Sequence, residues 1–327
     1  MPTVLVTGGS GYIGSHTICE LTQAGYEIVI YDNLEKGHPE AVANCRMVVG
    51  DLHDGIKLDR VFREFDVQTV VHFAAYIEAG ESVKDPGKYF QNNTAGSLSL
   101  LQSMVRNDVK QIVFSSTAAV YGEPERVPIE ETDRKAPTNA YGLSKLMVEE
   151  MLDWFHSAHD LRSVSLRYFN AAGAHPEGLI GEDHRPETHL IPLILQVPLG
   201  KREKIYIFGT DYDTPDGTCI RDYIHVMDLA SAHVLAVRAL EGGTGREAYN
   251  VGNGAGFSVK EVIDVAREVT GQPIPAEVQP RREGDPARLI ASSEKLRREL
   301  GWSPKYPDLK QIIGTSWEWF RNHPNGY

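Results

Sequence analysis

Tyr141-Gly-Leu-Ser-Lys145 places a phenol and an ammonium four residues apart, on one face if the segment from Tyr141 to Trp154 is helical. A phenol titrates near pH 10 and is a poor base at neutrality; a nearby ammonium favours the phenolate and draws it toward the working range. The pair is therefore a candidate acid/base, against the plain alternative of a surface helix where Tyr and Lys happen to share a face. A different chemistry is suggested at the amino terminus, where Val4 to Ser15 reads V-L-V-T-G-G-S-G-Y-I-G-S. Gly8, Gly11 and Gly14 recur at every third position, and Gly9-x-Gly11-x-x-Gly14 fits the dinucleotide fingerprint. Glycines there permit a tight turn and close backbone approach, and a diphosphate can rest on the following helix N-terminus. A glycine-rich turn with no ligand is the alternative. It is weakened by Asp32, which ends the apolar run E-I-V-I-Y 18 residues after Gly14, near where a ribose-binding carboxylate falls. An acid there repels a 2′-phosphate, so NAD is expected as the cofactor in preference to NADP.

The elements that must position these groups alternate for about 170 residues. Candidate strands are Val4–Val6, Ile28–Tyr31, Met47–Val49, Thr69–Phe73, Gln111–Ser115 and Ser163–Arg167, with helix-length segments between. That order predicts an α/β fold with a Rossmann-type, doubly wound parallel sheet. The polar signals cluster just after the strands: Gly50-Asp51-Leu52, Phe73-Ala74-Ala75, Ser115-Ser116-Thr117 and Tyr168-Phe169-Asn170. Open α/β sheets bind ligands outside those carboxyl ends. After Asn170 the alternation fails. Gly173–Pro186 and Thr210–Gly217 read as loops, and helices are expected at Asp228–Leu240, Val259–Thr270, Ser293–Leu300 and Leu309–His323. The expected division is an NAD-binding domain over 1–170 and a second, smaller α/β substrate-binding domain mainly over 171–327. Part of 221–252, reading as helix then strand, is able to return to the first sheet.

The 327 residues allow a sizeable core and two domains, and 41% hydrophobic with 24% charged residues excludes a disordered or fibrous chain. A net charge of −12 argues against nucleic acid or anionic membrane as partner. No apolar run approaches a bilayer span and the amino terminus opens on a strand, so a cytoplasmic location is expected. Cys19, Cys45 and Cys219 are far apart, with no disulfide framework and no metal-ligand spacing; free thiols and no metal are expected.

Together, Thr7-Gly-Gly-Ser-Gly-Tyr-Ile-Gly14, Tyr141-x-x-x-Lys145 and the hydroxyls near Ser116 resemble the extended short-chain dehydrogenase/reductase family, whose members modify nucleotide-linked sugars. Arg167-Tyr-Phe-Asn-Ala-Ala-Gly-Ala-His-Pro176, Arg221-Asp-Tyr-Ile-His-Val-Met-Asp228 and Arg281-Arg-Glu-Gly-Asp285 narrow the resemblance to its UDP-glucose 4-epimerase branch. It runs from residue 3 to about 295. What it implies is reversible interconversion of UDP-glucose and UDP-galactose through a 4-keto intermediate on tightly held NAD. Tyr141 is then the acid/base, Lys145 tunes it and holds the nicotinamide ribose, and Thr117, often serine in relatives, bonds the 4-oxygen. The implied cofactor residues are Gly8, Gly11, Tyr12, Ile13, Gly14, Asp32, Asn33, Asp51, Leu52, Phe73, Ala74, Ala75, Asn93, Tyr141, Lys145 and Tyr168. The implied substrate residues are Thr117, Tyr141, Asn170, His189, Leu190, Phe208, Arg221, Arg282, Asp285 and Leu289. Arginine suits the diphosphate because its planar fork matches phosphate oxygens. Relatives commonly form homodimers through helices corresponding to Gly96–Val105 and Lys145–Phe155, and a homodimer is the implied assembly.

The chain departs from the family pattern in informative places. Ile77 stands where some relatives have lysine, and His189 where some have asparagine. Leu289 occupies a position that is tyrosine in enzymes restricted to glucose and galactose and smaller in those accepting N-acetylated sugars, so UDP-GlcNAc and UDP-GalNAc are candidate substrates. Dehydratases of the same fold carry an acidic pair after the threonine; here Ala118 and Ala119 follow Thr117, which leaves elimination without a catalyst. Epimerisation of a UDP-pentose or UDP-uronate is compatible with the same motifs. A non-catalytic NAD-sensing protein would share the glycine turn, but has no use for an intact Tyr141/Lys145 pair.

Overall fold

The computed structural model describes residues 1–282 and 285–327. Glu283 and Gly284, inside the Arg281–Asp285 motif, lie outside the described residues. A seven-stranded parallel sheet organises the chain: β1 Thr3–Thr7, β2 Glu27–Asp32, β3 Arg46–Val49, β4 Val67–His72, β5 Gln111–Thr117 and β6 Arg162–Tyr168. Three short strands intervene, β7 Asn170–Ala172, β8 Ile205–Phe208 and β9 Ile220–His225, before β10 Arg246–Val251 returns to the sheet beside β6. The spatial order is β10-β6-β5-β4-β1-β2-β3. Strand order therefore reverses between β1 and β4, which is where such sheets open a ligand crevice.

Alternation along β1 explains both faces. Val4 and Val6 join Ile30, Val71, Val113 and Leu166 in one fully buried cluster, under Ile18 and Leu21 of helix α1 (Tyr12–Gln23). Leu5 faces the other way, with Val29, Val70, Ile112 and Phe114. That second face is covered by α2 (Gly55–Glu64), α5 (Gly96–Arg106) and α6 (Ala140–His159), with α3 (Ala79–Lys84) and α4 (Pro86–Tyr89) packed against α6. A sheet buried on both faces needs apolar residues of both parities, which is why β1 reads as an unbroken apolar run. A six-residue π-helical stretch, Phe90–Ala95, leads directly into α5.

The second lobe has its own core. Ile191 and Ile194 of α7 (Leu190–Leu195) meet Ile205 and Ile207 of β8. The helix α8 (Val226–Glu241) instead packs on α1, so Val226 to Val251 belongs structurally with the first sheet. Ile263 of α9 (Val259–Thr270) and Ile312 of the last helix complete the second core. The remaining elements are β11 (Gly256–Ser258), β12 (Ala276–Gln279), β13 (Arg288–Leu289), α10 (Glu294–Leu300) and α11 (Leu309–Asn322). β11, β9 and β13 form a small sheet that β7 extends, and β12 pairs with β8.

The expected helix-then-strand reading of 221–252 needs correcting at its start, because Ile220–His225 is a strand before α8 begins. Its sequence I-R-D-Y-I-H hides the strand. Asp222 occupies a buried position by accepting N–H bonds from Ala291, Asn253 and Gly254 at 2.8–3.1 Å, so the site wants an acid where a strand pattern wants an apolar residue.

Candidate active site

The glycine turn is built for close approach. Gly8 has φ +69°, and a Cβ there would lie 2.6 Å from the Ala74 backbone nitrogen; one on Gly14 would lie 2.5 Å from the Gly8 carbonyl oxygen. Gly11 is the N-cap of α1 and brings no side chain to bond the first-turn N–H groups, so those donors face outward. This arrangement fits a diphosphate. Beyond it, Asp32 accepts the Ser10 N–H at 3.1 Å and the Leu34 N–H at 2.9 Å. Two N–H bonds fix the carboxylate while leaving lone pairs for ribose hydroxyls. Burial works to raise the Asp51 pKa, but hydrogen bonds from His53 and Asn33 outweigh it and hold that acid below its usual range.

A cavity of about 330 Å³ runs from this turn past the ends of β4, β5 and β6. Gly8, Gly11, Tyr12, Ile13, Gly14, Asp32, Asn33, Asp51, Leu52, Phe73, Ala74, Ala75, Tyr141, Lys145 and Tyr168 all line it, as do Thr117, Asn170 and His189. Asn93 does not. It is buried, and spans the Tyr76 backbone (2.9 and 3.0 Å) and the Ser144 hydroxyl (3.0 Å), bracing the cavity wall from behind.

Tyr141 and Lys145 both belong to the first turns of α6, which starts from an Asn139 cap on the Gly142 N–H. Lys145 Nζ donates to the Ser115 carbonyl at 2.8 Å, and Thr117, at the end of the same strand, lines the cavity together with Tyr141. The expected electrostatics differ from what the cleft imposes. Burial pushes Tyr141 above its ordinary value, Thr117 draws it partly back, and Glu78 adds to the rise. Burial also lowers the Lys145 amine to about 7. In the protein alone both groups prefer neutrality, because a dry cleft penalises either charge.

Several residues assigned to the nucleotide do not line this cavity. Leu190, Phe208, Arg221, Arg282, Asp285 and Leu289 are outside its lining, on the second lobe. They form smaller groupings of their own. Arg221 Nη2 donates to Asp285 at 2.8 Å while Nη1 reaches the Ile220 and Pro286 carbonyls. Arg282 lies 4.0 Å over the Phe208 ring, a stacked cation–aromatic surface. Leu289 is the register partner of Arg221 and packs on the cluster containing Ala118 and Phe169. Asn170 Nδ2 donates to the Asp222 carbonyl at 3.0 Å.

Some lining residues carry no motif signal in the sequence. Lys36 and Arg185 also line the cavity, and Lys36 Nζ donates to the Arg185 carbonyl at 3.4 Å. Glu182, His184 and Tyr327 also reach it, from an irregular loop and from the chain's end. His189 bonds Glu187 and Glu182, so its ring is held by acids of that same loop.

A family model described as the NAD dependent epimerase/dehydratase family matches residues 4–252. A UDP-glucose 4-epimerase of Halalkalibacterium halodurans is 56% identical over 99% of this chain and 97% of its own. The solved UDP-glucose 4-epimerase of Brucella ovis in complex with NAD is 45% identical, with a TM-score of 0.95 over 97% of this chain and 98% of that one. The enzyme of Bifidobacterium longum, solved with NAD+ and UDP, is 40% identical at a TM-score of 0.94, covering 99% and 100%.

Proposed function

The chain belongs to the NAD dependent epimerase/dehydratase family, and on that premise we infer that it interconverts UDP-glucose and UDP-galactose at C4 with NAD as a resident cofactor. The observation that carries this reading is the meeting of Tyr141, Lys145 and Thr117 at one end of a cavity whose other end is the uncapped glycine turn. When bound there, NAD would supply a reversible hydride acceptor for C4, so one turnover would leave no net redox change. Tyr141 removes the 4-hydroxyl proton and later gives it back; Thr117 bonds the same oxygen and keeps it within reach. Lys145, anchored on the Ser115 carbonyl, offsets the phenolate charge. Gly8, Gly11 and Gly14 admit the diphosphate, Asp32 takes the adenosine ribose, and residues 1–170 with Val226–Val251 form the NAD-binding body. The second lobe holds UDP, with Arg282 on Phe208 as the stacking surface and Arg221 and Asp285 as the polar clamp. Purified protein, heat-denatured, is expected to release NAD, and the intact protein to convert UDP-galactose with no cofactor added. Strict dependence on added NAD, with net NADH formed, contradicts the reading.

Leu289 favours a wider substrate range. Its side chain is half-buried in the register of Arg221, and is shorter than a tyrosine and without a hydroxyl. UDP-GalNAc is therefore expected to be converted, and Leu289→Tyr to lower its kcat/KM by about 10–200-fold relative to UDP-galactose. Equal loss for both sugars, or no acetylated-sugar turnover in the parent, removes this assignment.

A homodimer fits the outer face of α6, where Leu143, Met147 and Trp154 form an exposed stripe and Trp154 is 75% exposed. Sedimentation at micromolar concentration should give the mass of two chains, and Trp154→Glu should shift it toward one. No helix among the described residues is long and apolar enough to cross a membrane. A cytoplasmic location suits the three unpaired cysteines.

A further inference from the structure

We propose that Glu182, His184, Glu187 and His189 bind one tetrahedral divalent cation, of the zinc class, in the loop that closes the cleft. The sequence pattern is Glu-x-His-x-x-Glu-x-His, and one ligand atom from each residue lies within 4.8 Å of the others. His189 Nδ1 is 2.9 Å from a Glu182 oxygen and 3.1 Å from a Glu187 oxygen. His184 Nδ1 is 3.1 Å from Glu182 and 3.7 Å from Glu187. Four ligands at zinc's usual bond lengths stand roughly 3.3–3.5 Å apart, so these separations straddle the edges of that tetrahedron. Imidazole nitrogen with carboxylate oxygen is a donor set zinc accepts, whereas calcium and magnesium prefer oxygen alone.

Charge supports the same reading. The Glu182 and Glu187 side chains are 3% and 8% exposed, and among the described residues neither meets a lysine or arginine. Arg185, between them in sequence, turns outward to Asp183 instead. Two buried carboxylates require compensation, which the two facing imidazoles supply when protonated and one divalent ion supplies with the imidazoles left neutral.

The location gives the ion a role. Its loop is tied to the first lobe by His38, which meets the Asp183 carbonyl at 2.9 Å, and by Lys36 on the Arg185 carbonyl. Tyr12 of the glycine turn stacks edge-on against His184 at 6.1 Å. On the other side, Trp319 Nε1 donates to the Glu182 carbonyl and His189 caps α7. A cation at these four residues clips the strap that joins both lobes over the dinucleotide cavity. With all four positions filled by protein, its role is structural.

Metal analysis of the tag-free, NAD-loaded protein tests this, since the alternative is a cluster of histidine–carboxylate hydrogen bonds needing no ion. About one zinc per chain is expected on isolation, lost to a strong chelator, with added Zn²⁺ restoring a higher Tm in proportion to its concentration. Co²⁺ loaded into the stripped protein should give the intense visible absorption of a four-coordinate site. His184→Asn and Glu187→Gln, both near in shape, should weaken Co²⁺ binding by about 10–100-fold while retaining the far-ultraviolet spectrum. Substoichiometric metal together with no saturable Zn²⁺ or Co²⁺ binding overturns the proposal. So does undiminished Co²⁺ binding in both variants.

Discussion

Tyr141→Phe is expected to cut the rate of UDP-galactose conversion by about 10²–10⁴-fold, the range a positioned acid/base supplies. The variant should keep its NAD, since the hydroxyl is lost while α6 and the Lys145 anchor remain. The size of the effect follows from the cleft. Burial holds the phenol above its ordinary value and the Lys145 amine at about 7, so the cavity resists either charge alone. A phenolate and an ammonium one helical turn apart support each other, and loss of the Tyr141 proton therefore strengthens the hold of Lys145 on its own. Lys145→Met removes that partner. Its folded-state amine is lowered to about 7, so in the parent the ammonium is half lost at that pH and fades further above it unless the phenolate forms. In Lys145→Met the limb of kcat/KM that reports Tyr141 should move to higher pH by more than about one unit. A Tyr141→Phe enzyme with parental turnover, or an unmoved limb in Lys145→Met, refutes the assignment of the base.

The sequence is informative where local physics and function coincide. β1 and β2 are legible as apolar runs because both faces of the sheet are covered, and Gly8 and Gly14 are legible because a Cβ at either would strike backbone. Tyr141 and Lys145 are legible through helical spacing. What stays hidden depends on long-range partners. β9 is masked by Asp222, whose acceptance of three N–H groups from distant segments no window along the chain could reveal. Asn93 is expected at the cofactor by resemblance, and its amide bonds Ser144 51 positions away, a partner that no window along the chain reveals. The pKa of Tyr141 runs opposite to the expectation from Lys145, since spacing reports the neighbour and not the burial. Glu182 to His189 read as irregular loop, although the alternation of acids and histidines is present in the sequence.

Glu149→Ala is expected to cost about 3–5 kcal/mol of stability, the penalty for leaving one member of a buried ion pair alone. Arg167 is 4% exposed and meets Glu149 through Nε at 2.9 Å and Nη2 at 2.6 Å. Burial works against the guanidinium charge, but the two bonds to Glu149 outweigh it and hold Arg167 above its ordinary value. The pair also has a place in the site. Glu149 stands four residues after Lys145 and eight after Tyr141, so all three share a face of α6, and its carboxylate accepts the Ser116 hydroxyl at 2.6 Å. Ser116 lies between the carbonyl that anchors Lys145 and Thr117, which shares the cavity wall with Tyr141. Glu149 therefore fixes the base helix to the strand end, acting as a positioning residue, and a displacement of about 1 Å there can cost about 10²-fold in rate. Glu149→Gln keeps the shape and one acceptor, and should lose less stability than Glu149→Ala in urea denaturation. The double variant Glu149→Leu/Arg167→Met removes both charges and should recover much of that stability while leaving kcat depressed, because packing is restored and the anchor on Ser116 is not. Recovery of stability and kcat together would show that the pair serves only the fold.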